Sequence, residues 1–277
     1  MRVDAHQHFW KIARGDYGWL TAEAFPKLYR DFLPDDLAPL LAETRVDRTI
    51  LVQGAETAGE TRFLLDLAAQ TPFVGGVVGW TDFASPDAPA EIERLAAEPH
   101  LKGLRPMLQE LADAEWILRP DVQPALKATA QNGLRFDALI KPPQLPAIRR
   151  MLDLHPDLPV VIDHGAKPLI ADGVMAPWAD HIRGIARDSR TVCKLSGLAT
   201  EAQPGWSVET LRPYVDVLLG AFGPSRLMFG SDWPVLTHNG DYLGWFAAAQ
   251  VLTAGISDAE RDQVFGGAAA AFYGLAA

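Results

Sequence analysis

Two histidines two positions apart, His6 and His8, follow an apolar start in Val3-Asp-Ala-His-Gln-His-Phe-Trp10. Side chains on an extended strand alternate between faces, so both imidazoles share one side, and Asp4 shares their parity. An ordinary core would leave such groups unpaired at about 1–3 kcal/mol each, so this face must meet a polar cavity, a metal or solvent. Farther along stand Asp163-His164 and Asp232. Imidazoles with a carboxylate supply the ligands of a single ion, or the base and donors of a proton-transfer site.

The elements that must position these residues alternate regularly. Strand-like runs begin near residues 3, 49, 74, 101, 134, 159, 191 and 226. Between them lie helical stretches at Asp36–Thr44, Ala58–Gln70, Ala88–Ala97, Val122–Gln131, Gln144–Leu154, Trp178–Arg187 and Val208–Phe222. Short apolar strands alternating with helices predict parallel βαβ units, and eight such runs predict one closed (β/α)8 TIM barrel, an α/β fold spanning 1–277 without a linker. The long first connection, 9–34, carries Trp10, Tyr17, Trp19, Phe25, Tyr29 and Phe32. It is read as a flap over the active face, packed on the rim by its own aromatics. An Ala-rich helix, Gly267–Leu275, ends the chain. It covers either the barrel bottom or a second copy, which makes a homo-oligomer one expectation.

Catalytic groups of such barrels sit at the C-terminal ends of the strands. Here those ends carry His6 and His8, Gln53, Trp80, Arg105, Lys141, Asp163-His164, Lys194 and Ser196, and Asp232. Parity points Arg105 inward, where a guanidinium suits an oxygen-rich ligand. Asp163 precedes His164 and is expected to face away from it, as a support. Asp137 shares parity with Lys141. Lys141 and Lys194 are read equally well as solvated rim lysines. His100, His155 and His181 suit surface or capping roles, and His238 lies in a loop on the active face.

Composition narrows the class. The chain has 277 residues, 48% of them hydrophobic, enough for a sizeable core. A formal charge of −10 disfavours nucleic acid as a partner. A single cysteine, Cys193, excludes an internal disulfide and reads as a small buried hydrophobe. The absence of a charged-then-apolar leader and of a long apolar run predicts no membrane association and a cytoplasmic setting. Ser196 and Ser231 lack a nucleophile elbow, and no glycine-rich phosphate cradle follows the first strand.

In these residues the chain resembles the amidohydrolase superfamily: His-x-His after the first strand, a histidine after the sixth and an aspartate after the eighth. More narrowly it is similar to the sugar-lactonase branch, which holds L-fuconolactonase-like and L-rhamnono-lactonase-like enzymes and, more distantly, 2-pyrone-4,6-dicarboxylate lactonase. The matching blocks are Asp4–Trp10 with Trp19-Leu20, Leu51–Gln53, Lys102–Pro106, Asp163–Pro168, Lys194–Gly197 and Phe229–Pro234. Binuclear members place a bridging Lys or Glu after the fourth strand and a histidine after the fifth. Arg105 and the segment Asp137–Lys141 stand there instead, so at most one ion is expected.

The resemblance implies a hydrolase that opens a sugar (aldono-) lactone, such as L-fuconolactone or a related ring, to the free hydroxy acid. Asp232 would act as general base, and His6, His8 and His164 would polarise the carbonyl, alone or through one Zn2+ held by His6, His8, His164 and Asp232. No cofactor is strictly required on the first alternative. Arg105, Lys141, Gln53, Trp80 and Trp233 would grip the ring, with Trp19 closing from the loop. A Zn2+-dependent decarboxylase of an unsaturated or aromatic acid is the rival, since it reuses the same four residues. A barrel that only binds has no need of an intact base.

Overall fold

The computed structural model describes residues 1–276. Its strands are β1 (Val3–Gln7), β2 (Arg48–Val52), β3 (Val74–Gly79), β4 (Leu101–Leu104), β5 (Arg135–Ala138), β6 (Val160–Ile162), β7 (Val192–Leu195) and β8 (Leu227–Phe229). They form one parallel sheet in sequence order. The helices are α1 (Pro34–Thr44), α2 (Ala58–Gln70), α3 (Ala88–Ala96), α4 (Gln123–Gln131), α5 (Leu145–Leu154), α6 (Trp178–Asp188), α7 (Val208–Phe222), α8 (Tyr242–Leu252), α9 (Asp258–Asp262) and α10 (Ala268–Tyr273). This is the expected single-domain (β/α)8 barrel. Among the described residues no helix is long and apolar enough to cross a membrane.

Local chemistry starts several helices. Thr57, Ser207 and Asp241 accept hydrogen bonds from the free amides of Glu60, Thr210 and Gly244 at the first turns of α2, α7 and α8. The outward strand residues Leu51, Val77, Phe136, Ile162, Leu195 and Phe229 belong to the large core shared with the helices. Inside the barrel a smaller apolar floor joins Val3, Ala5, Ile50, Val52, Val78, Val161, Val192 and Met228. Ala268, Ala269 and Tyr273 belong to that floor, so α10 plugs the barrel's own bottom.

The barrel closes at its mouth. His6 and His8 of β1 meet the residues beyond β8: the Asp232 amide donates to the His6 carbonyl, and the His8 amide to the Trp233 carbonyl, both at 2.7 Å. Gly230 permits this approach, because a Cβ there would stand 2.8 Å from the His6 Cβ. The first connection is less irregular than expected: Trp10 and Phe32 pair antiparallel, with N–O distances of 2.9 and 3.0 Å.

Candidate active site

Regular strand parity accounts for part of the site and breaks where the site is made. The β1–β2 register shifts between Asp4 and Gln7. As a result Ala5 faces the barrel floor and His6 the site, whereas Asp4 faces outward. Asp4 Oδ2 accepts from the Tyr242 hydroxyl of α8 at 3.2 Å, and Oδ1 accepts from the Ser231 amide at 2.8 Å. The shared face expected for Asp4, His6 and His8 therefore holds only for the histidines. Burial pushes the Asp4 carboxyl up to about 6, against its hydrogen bonds.

Asp163 is the second departure. The pleat continues inward from Val161 to Asp163, and the chain then turns sharply, with φ 55° at His164. Both side chains consequently face the site instead of opposing one another. Asp232 also occupies the left-handed region, at φ 58°. Non-glycine residues held there cost about 1–3 kcal/mol each and cluster at functional sites. Gly197 makes room for His164, since a Cβ at Gly197 would lie 2.5 Å from the His164 Nδ1.

The four central side chains come together around one carboxylate oxygen. Asp232 Oδ1 lies 3.2 Å from His8 Nε2, 3.7 Å from His6 Nε2 and 3.8 Å from His164 Nε2. The far side of each ring is engaged. His8 Nδ1 lies 2.7 Å from the Val52 carbonyl, His164 Nδ1 lies 2.8 Å from Ser196 Oγ, and His6 Nδ1 lies 3.1 Å from Lys194 Nζ. All four groups are buried. Burial alone would raise the Asp232 carboxyl; the surrounding His164, His8 and His6 outweigh it and hold the group below the usual carboxylate range. Burial pushes His164 down to about 4, and burial together with Lys194 keeps His6 well below its ordinary value.

Behind His6 lies a buried charge network. The Lys194 ammonium is 2.5 Å from Asp137 Oδ2 and 2.9 Å from Asp163 Oδ1. Arg105 donates to Asp163 Oδ2 at 3.1 Å and approaches His6 Nε2 at 3.3 Å. The Tyr273 hydroxyl, delivered from α10, donates to Asp137 Oδ2 at 2.8 Å. Lys194 is thus no rim lysine: it is fully buried and matched by two carboxylates. A rim position would have freed it from them, but its inward parity places the ammonium inside the barrel.

A cavity of about 840 Å³ opens above these groups, lined by His8, Arg105, His164 and Asp232 at its base and by Trp10, Trp19 and Phe25 from the loop 9–34. Trp19 is fixed there by donating from Nε1 to the Gly54 carbonyl at 2.8 Å. The other residues expected to grip the ring lie elsewhere. Gln53, opposite in parity to Val52, is buried and donates to the Arg105 carbonyl at 2.6 Å. The Trp80 backbone is braced by Thr61, whose hydroxyl donates to its carbonyl at 2.9 Å. Trp233 is buried against Phe9 and Phe32. β5 ends at Ala138 and not at Lys141, so Lys141 sits on the rim, half-exposed and paired with Glu110 at 2.8 Å. None of these four lines the cavity.

Sequence reasoning missed other wall residues: Glu56 and Gln109, from the loops after β2 and β4, and Lys167 and Glu201, from those after β6 and β7. Their loop positions were the available signal. His238, in its loop on the active face, lines the cavity, with its ring 5.4 Å from that of Phe25. His155 instead bonds Gln123 at 2.9 Å, away from the site.

Comparison with known proteins adds an independent line. Residues 3–275 match the family model described as amidohydrolase. An L-fucono-1,5-lactonase of Burkholderia ambifaria is 46% identical over 98% of this chain and 95% of that protein. An L-fucono-1,5-lactonase of Burkholderia multivorans is 36% identical, over 99% of this chain and 96% of its own length. An amidohydrolase of Burkholderia multivorans, solved with bound zinc, superposes with a TM-score of 0.93 at 36% identity, covering the whole of both chains.

Proposed function

This chain belongs to the amidohydrolase family, and from that premise we propose that it is a lactonase, opening a sugar lactone such as L-fucono-1,5-lactone to its hydroxy acid. The observation that carries this reading is the convergence of three imidazole nitrogens on Asp232 Oδ1, within 3.2–3.8 Å, beneath a cavity of substrate size. The names and high identity of the two curated relatives support it.

Hydrolysis of a cyclic ester needs a base for water and a donor for the carbonyl oxygen. Asp232, kept ionised by its histidines, takes the water proton as the oxygen attacks the carbonyl carbon. The ester C–O bond then breaks, and Asp232 returns that proton to the departing ring oxygen. His164, oriented by Ser196, and His6, braced by Lys194 below the cavity, would polarise the carbonyl oxygen. Trp19 and Trp10 cover the ring and exclude bulk water.

The donor set fits one divalent ion. His6, His8 and Asp232 offer ligand atoms within 4.8 Å of one another. The Val52 carbonyl accepts from His8 Nδ1, so Nε2 is the ring nitrogen turned to the Asp232 oxygen and the one that would serve an ion. A second group of possible ligands, His6, Asp163 and His164, shares His6, and its Asp163 is already held by Arg105 and Lys194, which disfavours a second ion. His6, His8, His164 and Asp232 would hold one Zn2+, which would polarise the lactone carbonyl as a Lewis acid.

The free, buried Cys193 is consistent with a reducing, cytoplasmic setting. Acid release from aldonolactones in a pH-stat tests the proposal. Release of CO2 from an unsaturated acid, with no lactone opened, would transfer the site to the decarboxylase reading.

A further inference from the structure

The cations facing the cavity are already matched by acids. Arg105 is compensated by Asp163 at 3.1 Å. Lys167 is paired with Glu201 at 3.0 Å, both side chains being largely covered. Acceptors on the same wall are not matched. Glu56, on the loop from β2 to α2, lines the cavity, and among the described residues no basic side chain stands within ion-pair distance of it. Its side chain is exposed towards the cavity; the part of it that is covered pushes its carboxyl up, and the nearby Met107 amide lowers it. Two residues past Met107, Gln109 also lines the cavity, and its buried side-chain oxygen has no hydrogen-bond partner.

An acceptor-rich wall suits hydroxyl donors. On this wall a ring carboxylate would meet no uncompensated side-chain cation and would face the Glu56 charge. We infer that Glu56 and Gln109 read the hydroxyls of a neutral polyhydroxylated lactone and turn away rings that carry a carboxylate. This rests on the lactonase reading and names the substrate class within it. It also helps product leave, because ring opening creates a carboxylate in the same acidic cavity.

The test compares kcat and KM for a neutral six-membered aldonolactone and for a ring of equal size bearing a carboxylate. The native enzyme is expected to favour the neutral ring by about 100-fold in kcat/KM. Glu56→Gln should raise KM for the neutral ring about tenfold with kcat little changed, and should narrow the preference by a similar factor. Gln109→Leu should raise KM for the neutral ring without narrowing the preference, and Glu56→Asp should retain it. Equal use of both rings by the native enzyme, or unaltered KM values in folded Glu56→Gln and Gln109→Leu proteins, would overturn the inference and leave the lactonase reading standing. Failure to open any neutral lactone would overturn both.

Discussion

His8 and Asp232 meet across the closing seam of the barrel: Nε2 lies 3.2 Å from Oδ1, while the opposite ring nitrogen is held 2.7 Å from the Val52 carbonyl. The residues come from the two ends of the barrel's strand order, so closing the barrel makes the pair. The backbone bonds from Asp232 to His6 and from His8 to Trp233 are part of the same seam.

If Asp232 moves the proton, Asp232→Asn keeps the shape and removes the base. Turnover should fall by at least about 100-fold, with KM changed far less. Steady-state kinetics on a neutral aldonolactone measure this, and near-native kcat would remove Asp232 from that role.

Ser196 touches the reaction only through His164, by a 2.8 Å contact at Nδ1. Ser196→Ala should lower kcat by about tenfold, as loss of an orienting partner does at comparable sites. Thermal melting should change little, because a small hydroxyl is removed from a glycine-lined corner; unchanged kcat would make Ser196 packing alone.

Lys194 has a structural burden as well. Lys194→Met leaves Asp137 and Asp163 buried without their ammonium, which should cost about 3–5 kcal/mol of stability. Denaturant unfolding of the variant checks this; a loss below about 1 kcal/mol would mean that the two acids find other partners.

The barrel was legible in the sequence because period and length speak plainly: short apolar strands alternated with helices, and polar residues stood at the strand ends. The central four residues were legible for the same reason, since the His-x-His spacing survives the register shift after Asp4. The orientations of Asp4 and Asp163 were not, because each depends on a local break in parity that no pattern of residue types announces. Lys194 read equally well as a rim lysine because its two carboxylates lie 57 and 31 positions away in sequence, on β5 and just past β6. The ring-gripping set was the least legible part: Trp233 and Gln53 are spent on packing and backbone bonds, and the cavity wall is built from loops.

Glu60 supplies a pH signature separate from catalysis. It is buried while accepting the Gly54 amide at 2.9 Å and the Ala55 amide at 2.6 Å. Burial raises its carboxyl to about 7, against those bonds. A carboxyl raised on folding gives stability that is present below its unfolded value near 4.5 and is lost as pH rises through 7. The native protein should therefore lose stability relative to Glu60→Gln over that window, by on the order of 3 kcal/mol. Unfolding curves of both proteins at several pH values measure the difference, and parallel curves would contradict the assignment.

The most direct test of the central claim is a pH-stat assay of L-fucono-1,5-lactone and related aldonolactones, run with and without a strong chelator. The account predicts rapid acid release above the spontaneous rate, lost in Asp232→Asn. Release that survives chelation would assign carbonyl polarisation to the histidines, and release restored by Zn2+ would assign it to one ion held by them. No enzymatic release from any lactone would contradict the account.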